Sequence, residues 1–64
     1  MKVKELSKGD MFTLHKYEHP KGEHVYIRGE YIRELKKYEC YNWLDVNSKT
    51  YLKGDRKIYV EFIF

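Results

Sequence analysis

An all-β fold, a small and partly open five-stranded barrel, is the architecture this sequence predicts, and three observations predict it. Short runs alternate apolar and polar residues at the two-residue period of a strand. Gly9, Pro20, Gly22, Gly29 and Gly54, all of the chain's glycines and its one proline, fall between or inside those runs as turn and bulge signals. Seven Tyr, three Phe and one Trp in 64 residues supply the large rings that suit a half-buried pleated surface. Few strands with regular turns close most simply as a small barrel. A chain of this length holds one core, so residues 1–64 form a single domain.

The opening Val3-Lys4-Glu5-Leu6-Ser7-Lys8-Gly9-Asp10-Met11-Phe12-Thr13-Leu14 passes through a Gly-Asp turn into a first strand, with Phe12 and Leu14 on one face. His15 to Glu23 is polar and contains Pro20-Lys21-Gly22. It reads as a loop, long for so small a domain and of the kind that often carries function. His24 to Arg28 alternates again, Val25 and Ile27 on one face, Tyr26 and Arg28 on the other. Gly29 within that pattern marks a bulge, which lets a small sheet bend.

Glu30 to Tyr38 reads two ways. Tyr31, Leu35 and Tyr38 fall at helical spacing among good helix formers, which gives an α+β alternative with a short helix near residues 30–39. A run of about ten residues without a capping box makes only a marginal helix. The expectation is therefore a strand, a turn around Glu34 to Lys37, and a return strand.

Tyr38, Cys40 and Asn42 then oppose Glu39, Tyr41 and Trp43, with Cys40 directed to the core. Asp45 to Ser48 is turn-rich, Thr50-Tyr51-Leu52 is a short strand, and Lys53-Gly54-Asp55-Arg56 is a turn. Lys57 to Phe64 is the clearest strand, with Ile58, Val60, Phe62 and Phe64 on one face. Leu6-Ser7-Lys8-Gly9-Asp10 echoes Leu52-Lys53-Gly54-Asp55 and reads as one turn solution used twice, too short for a structural repeat.

Composition narrows the function classes. No run approaches the roughly eighteen apolar residues of a membrane helix, and Met1-Lys2-Val3-Lys4-Glu5-Leu6 lacks the apolar stretch of a signal peptide. A cytoplasmic protein with no membrane partner is expected. Cys40, the single cysteine, makes no internal disulfide and fits a reducing compartment. Thirteen basic and ten acidic side chains are interleaved to a net charge of +3, a weak positive field that permits nucleic acid or an acidic protein surface as partner.

Leu6-x-x-Gly9-Asp10-x-Phe12 resembles the entry into the first strand of many SH3-like barrels. Lys8-Gly9-Asp10-x-Phe12, Val25-Tyr26-Ile27-Arg28-Gly29-x-Tyr31, Lys37-Tyr38-x-Cys40 and Lys53-Gly54-Asp55 together are similar to a group of small uncharacterised SH3-like β-barrel proteins of gut bacteria and their phages or mobile elements. The likeness spans most of the chain. It implies an all-β reading of residues 30–40 and a mobile-element setting, in which small proteins often bind host proteins or nucleic acid.

Catalytic chemistry finds little footing. His15, His19, His24 and Cys40 are the residue types that ligate zinc, yet no Cys-x-x-Cys pair or helical His pair is present, so no metal and no cofactor are expected. Cys40 as a nucleophile would need a base or a positive neighbour in a cleft. No phosphate-cradling glycine loop, Ser-His-Asp set or carboxylate pair can be assembled, and no enzyme is expected.

A binding module remains. Basic residues gather at Arg33/Lys36/Lys37 and at Lys53/Arg56/Lys57, while Tyr26, Arg28, Tyr41 and Trp43 are expected on outward faces of neighbouring strands. Stacking aromatics with phosphate-neutralising cations suit nucleic acid. Glu30, Glu34, Glu39, Asp45 and Asp55 interrupt those clusters, and a mixed surface suits a protein partner, with the same aromatics as anchors. The sequence thus favours a protein-interaction module that modulates a host protein, nucleic acid being the alternative. Tyr26, Arg28, Arg33, Lys36, Lys37, Tyr41 and Trp43 are its candidate contacts. Pairing of two copies along the terminal strand from Ile58 to Phe64 is a further expectation.

Overall fold

The computed structural model describes residues 1–63. Four antiparallel strands form one sheet in chain order: β1 (Met11–Thr13), β2 (Val25–Ile32), β3 (Lys37–Asn42) and β4 (Lys49–Leu52). Two 3-10 turns, Val3–Glu5 and Gly22–His24, are the helical elements among the described residues. The fold is all-β, as the alternation and turn spacing predict. Each strand pairs with its sequence neighbour, which makes the sheet a simple meander.

Register decides which side chains share a face. Phe12 lies opposite Tyr26, Arg28 opposite Cys40, Cys40 opposite Thr50, and Tyr38 opposite Leu52. This face carries the core, in which Val3, Leu6, Phe12, Cys40, Leu52 and Ile58 are buried together and Leu14, Tyr26 and Tyr38 pack against them. Val3 comes from the first 3-10 turn and Ile58 from the terminal segment, so both chain ends cover the sheet. On the other face Met11, Ile27, Tyr41 and Lys49 form a row across all four strands.

The bulge expected at Gly29 is present. Arg28 pairs with Cys40 and Tyr31 with Tyr38, so Gly29 and Glu30 together face Glu39. A Cβ on Gly29 would sit 2.6 Å from the Glu39 carbonyl oxygen, an approach open only to glycine. The extra residue also shifts the alternation, so that Tyr31, three positions on, shares the core-side face with Arg28.

Residues 33–36 make no helix. They form the turn of the β2–β3 hairpin, where the Leu35 N–H donates to the Ile32 carbonyl and the Lys36 N–H to the Arg33 carbonyl, each at 3.2 Å. Lys36 then adopts φ +54°, which ends the helical winding and starts β3. The helix-forming residues thus obtain one turn. Lys36→Gly is expected to raise stability by about 1 kcal/mol by removing the left-handed cost of a side chain, measured as a higher urea midpoint at unchanged slope.

The expected five-stranded barrel is not formed, and the sheet is open. The terminal segment divides its pairing among the N-terminal residues, β1 and the β1–β2 loop, where the Ile63 N–H donates to the Glu18 carbonyl at 3.0 Å. The Ile58 N–H donates to the Met1 carbonyl at 2.8 Å, while Val3 and Lys4 donate to the Arg56 and Gly54 carbonyls at 3.1 and 3.0 Å. Tyr59 reaches β1, exchanging two hydrogen bonds with Thr13 at 2.9 and 3.0 Å. β1 is three residues long, and its backbone pairing on that edge is the one at Thr13. Ile58 is consequently buried, Val60 and Ile63 are exposed, and no regular strand runs from Ile58 to Ile63. The ladder groups that would join two copies along this segment are therefore not laid out as a strand. Phe64, placed on that strand by its alternation, lies outside the described residues.

The echoed Lys-Gly-Asp triplets adopt different turns. Asp10 N–H donates to the Ser7 carbonyl at 3.0 Å with Gly9 third in the turn at φ +95°, whereas Arg56 N–H closes on the Lys53 carbonyl at 3.0 Å with Gly54 second. What the echo shares is the residue before each turn, since Leu6 and Leu52 are both buried in the core.

Candidate functional site

The end of the sheet nearest the β2–β3 hairpin collects the charge. Tyr38 and Leu52 are the last pair of the β3–β4 ladder, so Lys37 and Lys53 adjoin one another beyond it. Lys37, Tyr51, Leu52, Lys53, Asp55 and Arg56 line one shallow depression there. The Lys53–Arg56 turn is fixed by its own closing hydrogen bond and by the one from Lys4 to Gly54. Arg33 and Lys36, both exposed, project from the hairpin turn at the same end. Lys37, where β3 leaves the hairpin turn, therefore adjoins the Lys53–Arg56 turn, which is distant in sequence.

The carboxylates that interrupt those clusters in sequence are largely placed elsewhere. Glu30 is bonded to Lys8, which holds its carboxyl below the usual carboxylate range, while Glu30 in turn raises Lys8. Glu39 pairs with Lys49 at 3.4 Å. Asp45 lies in the β3–β4 loop, at the opposite end of β3. Glu34 and Asp55 remain beside Arg33, Lys36, Lys37, Lys53 and Arg56. Lys57 turns away toward the Tyr59 ring, its Nζ 5.7 Å from the ring centre.

The seven candidate contacts fall into separate groups. Arg33, Lys36 and Lys37 belong to the cationic end. Tyr26 and Arg28, expected to point outward, lie on the core face instead. Tyr26 is half-buried and stacks on Phe12 with centroids 6.0 Å apart. The Arg28 guanidinium lies 4.4 Å from the Tyr38 ring centre, and its Nε is buried without a hydrogen-bond partner. Both faces of β2 carry bulky residues, so alternation does not reveal which is inward; the opposing Phe12 and Cys40 decide it.

Tyr41 and Trp43 do take the other face. Tyr41 is half-buried beside Gly29, its Cε1 3.3 Å from where a Cβ would stand. Trp43 is 47% exposed, packs near Gly22, and donates its backbone N–H to the Val25 carbonyl at 2.8 Å. It follows Asn42, so it lies at the far end of β3 from Lys37.

Tyr51 is the contact that sequence reasoning passes over. It is 42% exposed and opposes Glu39 in the ladder. Only the pairing of Tyr38 with Leu52 places it, with Lys53 and Arg56, beside Lys37. Tyr31, 46% exposed, stands at the same end and is tilted against Tyr38 at 4.9 Å.

The residues considered for metal or thiol chemistry have other surroundings. His24 stacks on Tyr17 with centroids 4.4 Å apart, and His15 meets the same ring edge-on at 6.4 Å. Among the described residues no group of three or more His, Cys, Asp or Glu could hold a metal ion. Cys40 faces the core, as its alternation predicts, with Sγ 3.8 Å from the Tyr38 carbonyl oxygen. Burial pushes the Cys40 thiol above its ordinary range. The folded chain thus keeps it neutral to higher pH than the unfolded chain does. Its contribution to stability is full below the unfolded thiol's range and is lost as pH rises through the folded one. A thiol reagent at neutral pH is accordingly expected to label Cys40 only as fast as the domain opens.

No helix among the described residues is long and apolar enough to cross a membrane. The chain matches no protein-family model, no curated protein and no solved structure at a significant level.

Proposed function

We propose that this chain is a non-enzymatic binding module that holds nucleic acid through the cationic end of its sheet. The supporting observation is that Lys37 shares one depression with Lys53 and Arg56 at the end of the sheet from which Arg33 and Lys36 project, with Glu30 and Glu39 engaged by lysines elsewhere. Interleaved charge in the sequence favours a protein partner, but folding sorts that charge in space. Among the described residues Arg33, Lys36, Lys37, Lys53 and Arg56, with Lys4 against Gly54, outnumber Glu34 and Asp55 at that end, and phosphate gains from each positive group. The likeness to small proteins of phages and mobile elements suits such a module, acting in the cytoplasm of a host.

A protein partner has one observation of its own, a groove lined by Met1, Leu6, Asp10, Met11, Val60 and Phe62 between the two chain ends. It is open and mainly apolar, which is the chemistry of a protein contact and not of phosphate.

The test is anisotropy of labelled oligonucleotides at low and moderate salt. Binding is expected to weaken steeply with salt, and Lys37→Ala with Lys53→Ala is expected to flatten the slope of log K against log salt by roughly 0.7 to 0.9 for each phosphate the variant no longer neutralises. Absence of binding at low salt would exclude nucleic acid and leave the apolar groove as the site to pursue.

A further inference from the structure

We infer that the ligand of the cationic end is single-stranded, with one unpaired base stacked on Tyr51 and the adjoining phosphates held by Lys37, Lys53 and Arg56. This inference rests on the nucleic-acid reading and specifies its ligand. Tyr51 lines the same depression as those three cations, so ring and charges are reached together. Among the described residues Tyr51 makes no ring contact, whereas Tyr17, Tyr26, Tyr31 and Tyr38 each have an aromatic partner. Its ladder neighbour Glu39 has its carboxylate turned to Lys49, which removes a repulsive charge from the approach to the ring. Asp55 is the one carboxylate among the described residues that line the depression, and it is outnumbered there by the cations.

An exposed ring among cations discriminates between strand forms. Every base offers a π-face, but in a duplex both faces are already stacked, which leaves phosphates and groove edges and no face for a ring. A single strand can give the site a base and a phosphate at once. Stacking is insensitive to salt while the phosphate contacts are not, so the two contributions separate experimentally.

The experiment uses the whole chain, a labelled oligothymidine and a blunt-ended two-strand duplex with the same number of phosphates, titrated at three salt concentrations. The single strand is expected to bind about tenfold tighter than the duplex, within the range one stacked base contributes. Tyr51→Thr keeps strand propensity and is expected to weaken single-strand binding roughly five- to a hundredfold with no change of salt slope, and Tyr51→Phe to restore it. Equal binding of the two forms by the wild-type chain overturns the inference and leaves the nucleic-acid reading standing. Failure of both forms to bind at low salt removes that reading as well. The wild-type comparison decides the matter even if Tyr51→Thr does not fold.

Discussion

Gly29→Ala is expected to destabilise the domain by about 3 kcal/mol, at the upper end of what overpacking costs, or to prevent folding. The new Cβ would lie 2.6 Å from the Glu39 carbonyl oxygen and 3.3 Å from Cε1 of Tyr41. The first of these is backbone, tied into a paired strand, and cannot step aside as a flexible side chain would. Relief requires β2 and β3 to part at the bulge. That movement would also disturb the pairing of Tyr31 with Tyr38 and of Ile32 with Lys37, which positions the hairpin turn and its cations. Urea unfolding measures the effect. A midpoint within error of the wild type would show that the bulge is not as tightly closed as described.

The second large effect is expected at Asn42, which is 9% exposed and whose side chain joins three segments. Its Nδ2 donates to the Glu23 carbonyl at 2.9 Å and to the Val25 carbonyl at 3.3 Å, and its Oδ1 accepts from the Leu44 N–H at 2.9 Å. The 3-10 turn before β2, the first residue of β2 and the loop after β3 are thereby held together. Asn42→Ala takes this partner from the Glu23 carbonyl and the Leu44 N–H and leaves the Val25 carbonyl with the Trp43 N–H alone, and about 2 kcal/mol is the expected loss. Asn42→Asp is expected to lose as much at neutral pH, because it sets a carboxylate against two carbonyl oxygens. Protonation supplies a donor, so folding raises the carboxyl's pKa and the Asp variant should gain stability as pH falls. A flat pH dependence of the difference between the two variants would contradict this geometry.

Much of the sheet is legible in local residue order because its signals are local. The alternation through Tyr38 to Trp43 separates buried Cys40 and Asn42 from outward Tyr41 and Trp43. Gly29 within an alternating run marks the bulge, and setting aside a marginal helix leaves a turn around Glu34 to Lys37, within a residue of the hairpin turn observed at residues 33–36. The rest depends on pairings between distant residues. Ile58, Val60 and Phe62 have the alternation of a strand, but the N-terminal residues and the short β1 divide the available partners. Tyr26 and Arg28 look outward until Phe12 and Cys40 are placed opposite them.

The candidate site shows the same division more strongly. Arg33, Lys36 and Lys37 are visible as a basic turn, and Lys53 and Arg56 as another, but nothing in their spacing states that they adjoin. That follows from the β3–β4 register, which also brings in Tyr51 and sends Trp43 to the opposite end. Sequence counts Glu30 and Glu39 against a phosphate site, and only the folded chain shows each beside its own lysine.

The most direct measurement is an amide chemical-shift map of the labelled protein titrated with a short single-stranded oligonucleotide at low salt. Saturable shifts confined to Arg33–Tyr38 and Tyr51–Arg56 are expected, with the Trp43 amide and indole unmoved. Shifts centred on Trp43–Ser48 or on the Met1–Met11–Val60 groove, or no shifts at all, would contradict a nucleic-acid site at the cationic end.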